Sequence, residues 1–101
     1  LVDKHMPVVA ICPQDSHYEK MLSNIEEVRA REGQIIGVGA PDDERLKRLC
    51  EDYIPCPQVN NPLLQTLLSV VPLQLLSYYV AVWRGTDVDQ PRNLAKSVTV
   101  E

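Results

Sequence analysis

The sequence predicts an α/β protein, a three-layer open sheet of parallel strands joined by helices. Two observations predict it. Short continuous apolar runs of strand length alternate with stretches that repeat at helical spacing. Each change of periodicity coincides with a Pro, Gly or Asp stop, so the order reads β-α-β-α-β-α. That order implies parallel strands linked by right-handed crossovers.

Pro7-Val8-Val9-Ala10-Ile11-Cys12 is the first apolar run, and its continuity predicts a strand covered on both faces. Pro13-Gln14-Asp15 ends it. Ser16 with Glu19 three residues on predicts a capping box, in which the two side chains satisfy the first free amides of a helix. Tyr18, Met21, Leu22, Ile25 and Val28 then share one helical face, with Glu26, Glu27, Arg29 and Arg31 turned outward. Gly33 is expected to stop this helix in the left-handed conformation.

Gln34-Ile35-Ile36-Gly37-Val38-Gly39 reads as the second strand. Pro41-Asp42-Asp43 opens a short helix that carries Leu46, Leu49 and Cys50 inward. Asp52-Tyr53-Ile54-Pro55 is a third, short strand, which Pro55 places at an edge or brings to an end, because proline has no amide to donate.

From Asn60 to Trp83 no residue is charged, a length that could cross a bilayer. Gln65, Gln74, Ser69, Ser77, Thr66 and the central Pro72 favour instead a helix covered within protein. Three strands and two short helices cannot cover all of it, so packing against something outside this chain is expected. Pro72 is expected to kink it or break it in two.

The 101 residues suit one small domain, divided here into residues 1–85 and a C-terminal tail, 86–101. The chain opens Leu1-Val2-Asp3 without an initiator Met, which suggests a fragment of something longer. A formal charge of −4, with Arg45, Lys47 and Arg48 alternating with acids, argues against nucleic acid. Cys12, Cys50 and Cys56 match no metal or redox spacing and read as buried thiols of a cytoplasmic protein. No phosphate-binding glycine pattern occurs. His5 and His17 read as surface residues, and Glu26-Glu27 and Asp42-Asp43 as helix-surface and helix-start charges. No metal or cofactor is implied.

The tail is the unusual part. Were it extended, Leu94, Lys96, Val98 and Val100 would point the same way, setting an amine among apolar groups. Burial disfavours the ammonium and frees a neutral amine, which can attack a carbonyl. Spacing alone leaves an ordinary surface lysine as the simpler reading.

A resemblance changes that reading. "VPLQLLSYY" (Val71 to Tyr79) and "GTDVDQPRNLAKSVTVE" (Gly85 to Glu101), together with "SNIEEVRAREGQ" (Ser23 to Gln34), resemble the C-terminus of the glucosamine-6-phosphate synthase family. These are the isomerising glutamine–fructose-6-phosphate aminotransferases. The resemblance covers essentially the whole chain.

It implies most of the second of two sugar isomerase (SIS) subdomains, a Rossmann-like fold left incomplete, plus the active-site tail. It implies fructose 6-phosphate as substrate and a homo-oligomer, and it makes the glutaminase domain and the first SIS subdomain partners that are missing here. The lysine of the terminal motif matches Lys96, the Schiff-base nucleophile, with Arg92, Asn93 and Ala95 closing the tail over the sugar. The family's phosphate loops, catalytic Glu and His, and glutaminase cysteine have no match here, so Glu19, His5, His17 and Cys12 inherit no role. The fragment alone is expected to be inactive, and no membrane is involved. A non-catalytic SIS module that binds a phosphosugar, or an interaction fragment that associates through its third helix, are the alternatives.

Overall fold

A computed structural model describes residues 2–89. Strands β1 (Pro7–Ile11), β2 (Gln34–Gly39) and β3 (Asp52–Pro55) alternate with helices α1 (Tyr18–Ala30), α2 (Glu44–Lys47) and α3 (Pro62–Arg84). The strands form one parallel sheet in the order β1-β2-β3, with Val8 opposite Ile35 and Gly37 opposite Tyr53. As expected, β3 is an edge strand that ends at Pro55. Moving across the sheet in one direction by right-handed crossovers puts α1 and α2 on the same face.

Alternation along the strands decides where the core lies. Val8, Ala10, Cys12 and Ile35 meet Leu22 and Ile25 of α1 and Leu46 of α2, with Tyr18, Met21, Val28, Leu49, Cys50 and Tyr53 around them. The opposite face carries Val9, Ile11, Ile36, Val38 and Ile54. The start of α3 lies on this side, where Val38 is buried while Val9 remains 39% exposed. So β1 is covered well on only one face, because α3 reaches too little of the other.

The ends of α1 differ from the sequence reading. Its N-cap is His17, with no side-chain cap, so the expected Ser16–Glu19 box does not form. Asp15 Oδ1 instead accepts from the His17 amide at 2.8 Å, and Glu19 is drawn away into a two-bond pair with Arg45 at 2.7 and 2.8 Å. At the other end, the left-handed residue is Glu32 (φ 63°), not Gly33. The Gly33 amide reaches the Val28 carbonyl (3.0 Å) and the Glu32 amide that of Arg29 (2.9 Å), the double closure of a Schellman turn. Gly33 is needed for space: a Cβ there would lie 2.6 Å from Cγ1 of both Val2 and Val28.

Helix α2 is a single turn, capped by Asp43 Oδ1, which accepts from the Leu46 amide at 3.0 Å. Leu49 and Cys50 follow it and are half-buried. Helix α3 opens with Asn61 Oδ1 accepting from the Leu63 and Leu64 amides. It runs unbroken through Pro72 and closes at Gly85 (φ 71°), where the Thr86 amide reaches Ala81 and the Gly85 amide reaches Val82. Proline removes the amide that would bond the carbonyl four residues back, that of Leu68. The Cys56 thiol lies 3.7 Å from that carbonyl and equally far from Pro57 O, a weak donor to either.

Among the described residues α3 is left largely uncovered, as expected of a helix that three strands and two other helices are too few to enclose. Its buried residues are the polar Gln65 and Ser69, whereas Leu63, Leu67, Val71, Leu75, Tyr79 and Trp83 are exposed, Trp83 at 88%.

Candidate functional site

Parallel strands bring their carboxyl ends to one edge of the sheet, where ligands of open α/β sheets gather. Here Ile11-Cys12, Gly39-Ala40 and Pro55-Cys56 end together. Beside the end of β1, a cleft of about 420 Å³ opens between Ile11, Pro13, Gln14 and Asp15 on one side and Pro62, Gln65, Thr66 and Ser69 of α3 on the other. Among the described residues its polar groups are amides, hydroxyls and the Asp15 carboxylate, with no cationic side chain. The surface they form suits neutral polar groups.

A knot of amides holds the floor of this cleft. Gln65, 8% exposed, accepts from the Val59 amide at 2.8 Å through Oε1. Its Nε2 donates to the Pro57 carbonyl at 3.1 Å and approaches the Cys56 sulfur at 3.9 Å. Ser69 Oγ donates to the Gln65 carbonyl at 2.8 Å. Gln58 bridges outward: its Nε2 donates to Cys56 O at 2.9 Å and its Oε1 accepts from the Gln14 amide at 3.1 Å. The β3–α3 connection is thereby tied both to α3 and to the end of β1.

On the other face of the same edge sits a buried acid that the sequence reading had treated as a helix-start charge. Asp43 is 4% exposed, and its Oδ1 accepts from the Tyr18 hydroxyl at 2.8 Å as well as from Leu46 N. Its Oδ2 has no hydrogen-bond partner among the described residues. Burial and then the Asp43 charge push the Cys12 thiol up to about 11. Burial, then the bond to Asp43, push the Tyr18 phenol up to about 12. Tyr53, whose hydroxyl donates to Ala40 O at 2.6 Å, is also raised, chiefly by burial. These groups stay protonated at neutral pH, so the cluster is a scaffold for the strand ends and supplies no nucleophile. The signal that could have found it is Tyr18 following one strand end and Asp43 another.

The residues singled out by sequence, Lys96, Arg92, Asn93 and Ala95, lie outside the described residues, as does most of the 86–101 tail. His5 and His17 are exposed, as expected. Cys12 and Cys56 are buried free thiols, and Cys50 is half-buried.

No family model matches the chain. Glutamine–fructose-6-phosphate aminotransferase (isomerising) of Thermus thermophilus is 57% identical over all 101 residues, which make up 17% of that protein. The same enzyme of Chlorobaculum tepidum is 55% identical over the full chain, 16% of its own length. Over its whole length the chain is similar to the C-terminal part of glutamine–fructose-6-phosphate aminotransferases.

Among solved structures, the C-terminal domain of glucosamine-fructose-6-phosphate aminotransferase from Francisella tularensis superposes with a TM-score of 0.73 at 38% identity. The match covers 88% of this chain and 25% of that one. The α/β fold read from the sequence is therefore that of the aminotransferase C-terminal domain. The chain spans about a sixth of the length of the aminotransferases it matches.

Proposed function

We propose that this chain forms the C-terminal part of the isomerase domain, in its second SIS subdomain, of an enzyme that converts fructose 6-phosphate and glutamine to glucosamine 6-phosphate and glutamate. One observation carries the proposal. Identity of 50–57% runs through all 101 residues and so includes the stretch "PRNLAKSVTVE", in addition to the sheet. That matched span takes in the lysine on which this reading depends.

In this reading Lys96 is the nucleophile. Its neutral amine adds to C2 of the open-chain ketose, and the carbinolamine loses water to leave a Schiff base. Arg92, Asn93 and Ala95 hold the tail over the sugar. Groups that bind the phosphate and move protons would come from the rest of the polypeptide, in keeping with a cleft whose described lining carries no cation. The isolated chain is accordingly inactive in amination.

Borohydride trapping in the full-length protein tests the role of Lys96. Reduction in the presence of fructose 6-phosphate is expected to leave a secondary amine on the Lys96 peptide and to inactivate the enzyme. Labelling that persists elsewhere after Lys96→Ala, with amination intact, would refute the assignment and favour a regulatory phosphosugar-binding module.

The exposed side of α3 bears on partners and location. This helix is long and apolar enough to cross a membrane, with a mean hydropathy of 1.5 over its most apolar window. It also lines an apolar groove of about 510 Å³ with Ile54, Pro55 and Pro57 of the β3 edge. A groove made jointly by helix and sheet suits protein packing better than lipid. We place the enzyme in the cytoplasm, with α3 covered by its other domains or by a second subunit.

A further inference from the structure

The two walls of the cleft beside β1 have already committed many of their hydrogen-bond donors. On the β1 side, the Gln14 amide donates to Gln58 Oε1 at 3.1 Å and the Asp15 amide to Pro13 O at 2.9 Å. On the α3 side, the Val59 amide donates to Gln65 Oε1, the Thr66 hydroxyl to Pro62 O at 2.9 Å and the Ser69 hydroxyl to Gln65 O. The start of α3, where free helix amides would attract an anion, is closed from within. Asn61 Oδ1 takes the Leu63 and Leu64 amides, and Pro62 has no amide to offer. What these groups retain is chiefly acceptor capacity. A hydroxyl that donates keeps its lone pairs, and Asp15, engaged through Oδ1 by the His17 amide, keeps Oδ2. An acceptor-rich surface selects a ligand that brings its own donors.

Size, lining and charge narrow the class of ligand. The volume of about 420 Å³ falls within the range of roughly 300–1,000 Å³ in which small-molecule sites lie. Ile11, Pro13, Val70 and Leu73 add apolar surface for a carbon skeleton. Asp15 stands at the start of α1, where the His17 and Tyr18 amides both point to it and offset part of its charge. We infer that this cleft binds an uncharged, hydroxyl-rich small molecule of the cyclic polyol class. Its hydroxyls donate to Asp15 on one wall and Thr66 on the other, and its carbon skeleton lies against the apolar lining. Nothing in this assignment rests on the reading of Lys96.

The test titrates myo-inositol into the full-length protein, with Ile, Leu and Val methyl groups labelled for NMR. The methyl signals of Ile11, Val70 and Leu73 are expected to shift with a Kd on the order of 1–10 mM, while that of Leu75, in the other groove of α3, holds. Cyclohexanol, which keeps the ring and one hydroxyl, should bind about tenfold more weakly. Asp15→Asn keeps an acceptor for the His17 amide but turns the other oxygen into a donor, and Thr66→Val removes the acceptor on the far wall. Each is expected to raise Kd about three- to tenfold. Sugar amination by both variants should stay at the native level, which checks that they fold, and saturating fructose 6-phosphate should leave myo-inositol bound. Silent methyls in the cleft would overturn the inference, because the rest of the protein would then fill it. So would cyclohexanol binding as well as myo-inositol, or a Kd unchanged in both variants. An inositol monophosphate binding more tightly than myo-inositol would show an anion site instead, and displacement by fructose 6-phosphate would show the substrate site. Loss of the Lys96 assignment would appear separately, as amination surviving Lys96→Ala.

Discussion

Glu32 and Asp43 show how single residues carry costs that the rest of the fold offsets. Glu32 adopts a left-handed backbone that a side chain disfavours by about 1–2 kcal/mol. It tolerates this because two amides close the end of α1. Glu32→Gly relieves that strain and costs some unfolded-state entropy, so a net gain of about 0.5–1 kcal/mol is expected in denaturant unfolding. A loss would mean that the glutamate side chain has a partner of its own. Gly33→Ala should instead destabilise by about 1–3 kcal/mol through crowding against Val28.

The group around Asp43 sets a pH dependence. Cys12 moves from an ordinary 9.0 to about 11 and Tyr18 from 10.0 to about 12, both mainly through burial. A raised folded pKa means that the folded state holds its proton longer than the unfolded chain. The stability it contributes is therefore complete below pH 9 and disappears as pH rises through 11 and 12. Melting temperature should fall across that alkaline range, and Tyr18→Phe should reduce the fall above pH 10. An unchanged alkaline slope in that variant would remove Tyr18 from the explanation.

Among the elements, the strands and the start of α2 were legible from sequence and the ends of α1 were not. Strand identity is written in a continuous local pattern, and Pro55 placed β3 at an edge for a purely local reason. The cap of α1 depended on Arg45, twenty-six residues from Glu19, which takes the carboxylate the box required. Pro72 likewise reads locally as a kink or a break. Helix α3 passes through it unbroken, with the Cys56 thiol, brought close by the β3–α3 connection, 3.7 Å from the Leu68 carbonyl. Pro72→Ala restores the backbone donor and is expected to stabilise α3 by about 1–3 kcal/mol. Slower hydrogen exchange in residues 69–76 would register it. Unchanged exchange would mean that the thiol already compensates in full.

At the scale of the whole molecule, the distribution of apolar surface is the dominant fact. One face of the sheet holds a closed core, while α3 carries a row of exposed Leu, Val, Tyr and Trp side chains. A surface of this kind normally has a protein partner. The isolated 101-residue chain is expected to sediment above its monomer mass as concentration rises, and a Leu67→Lys, Leu75→Lys double variant to return it toward monomer. A native chain that stays monomeric at high concentration would show that this surface is not adhesive by itself.

By itself, the sequence determined the alternation of strand and helix, the parallel sheet and, through three stretches that resemble them, the likeness to the glutamine–fructose-6-phosphate aminotransferases. All are carried by patterns that neighbouring residues share. Tertiary structure alone decided that Glu32 takes the strained conformation, that Asp43 is buried beneath Tyr18, and that the buried side chains of α3 are an amide and a hydroxyl. Each of these depends on which group stands across a gap in space, and folding creates that proximity between residues far apart along the chain.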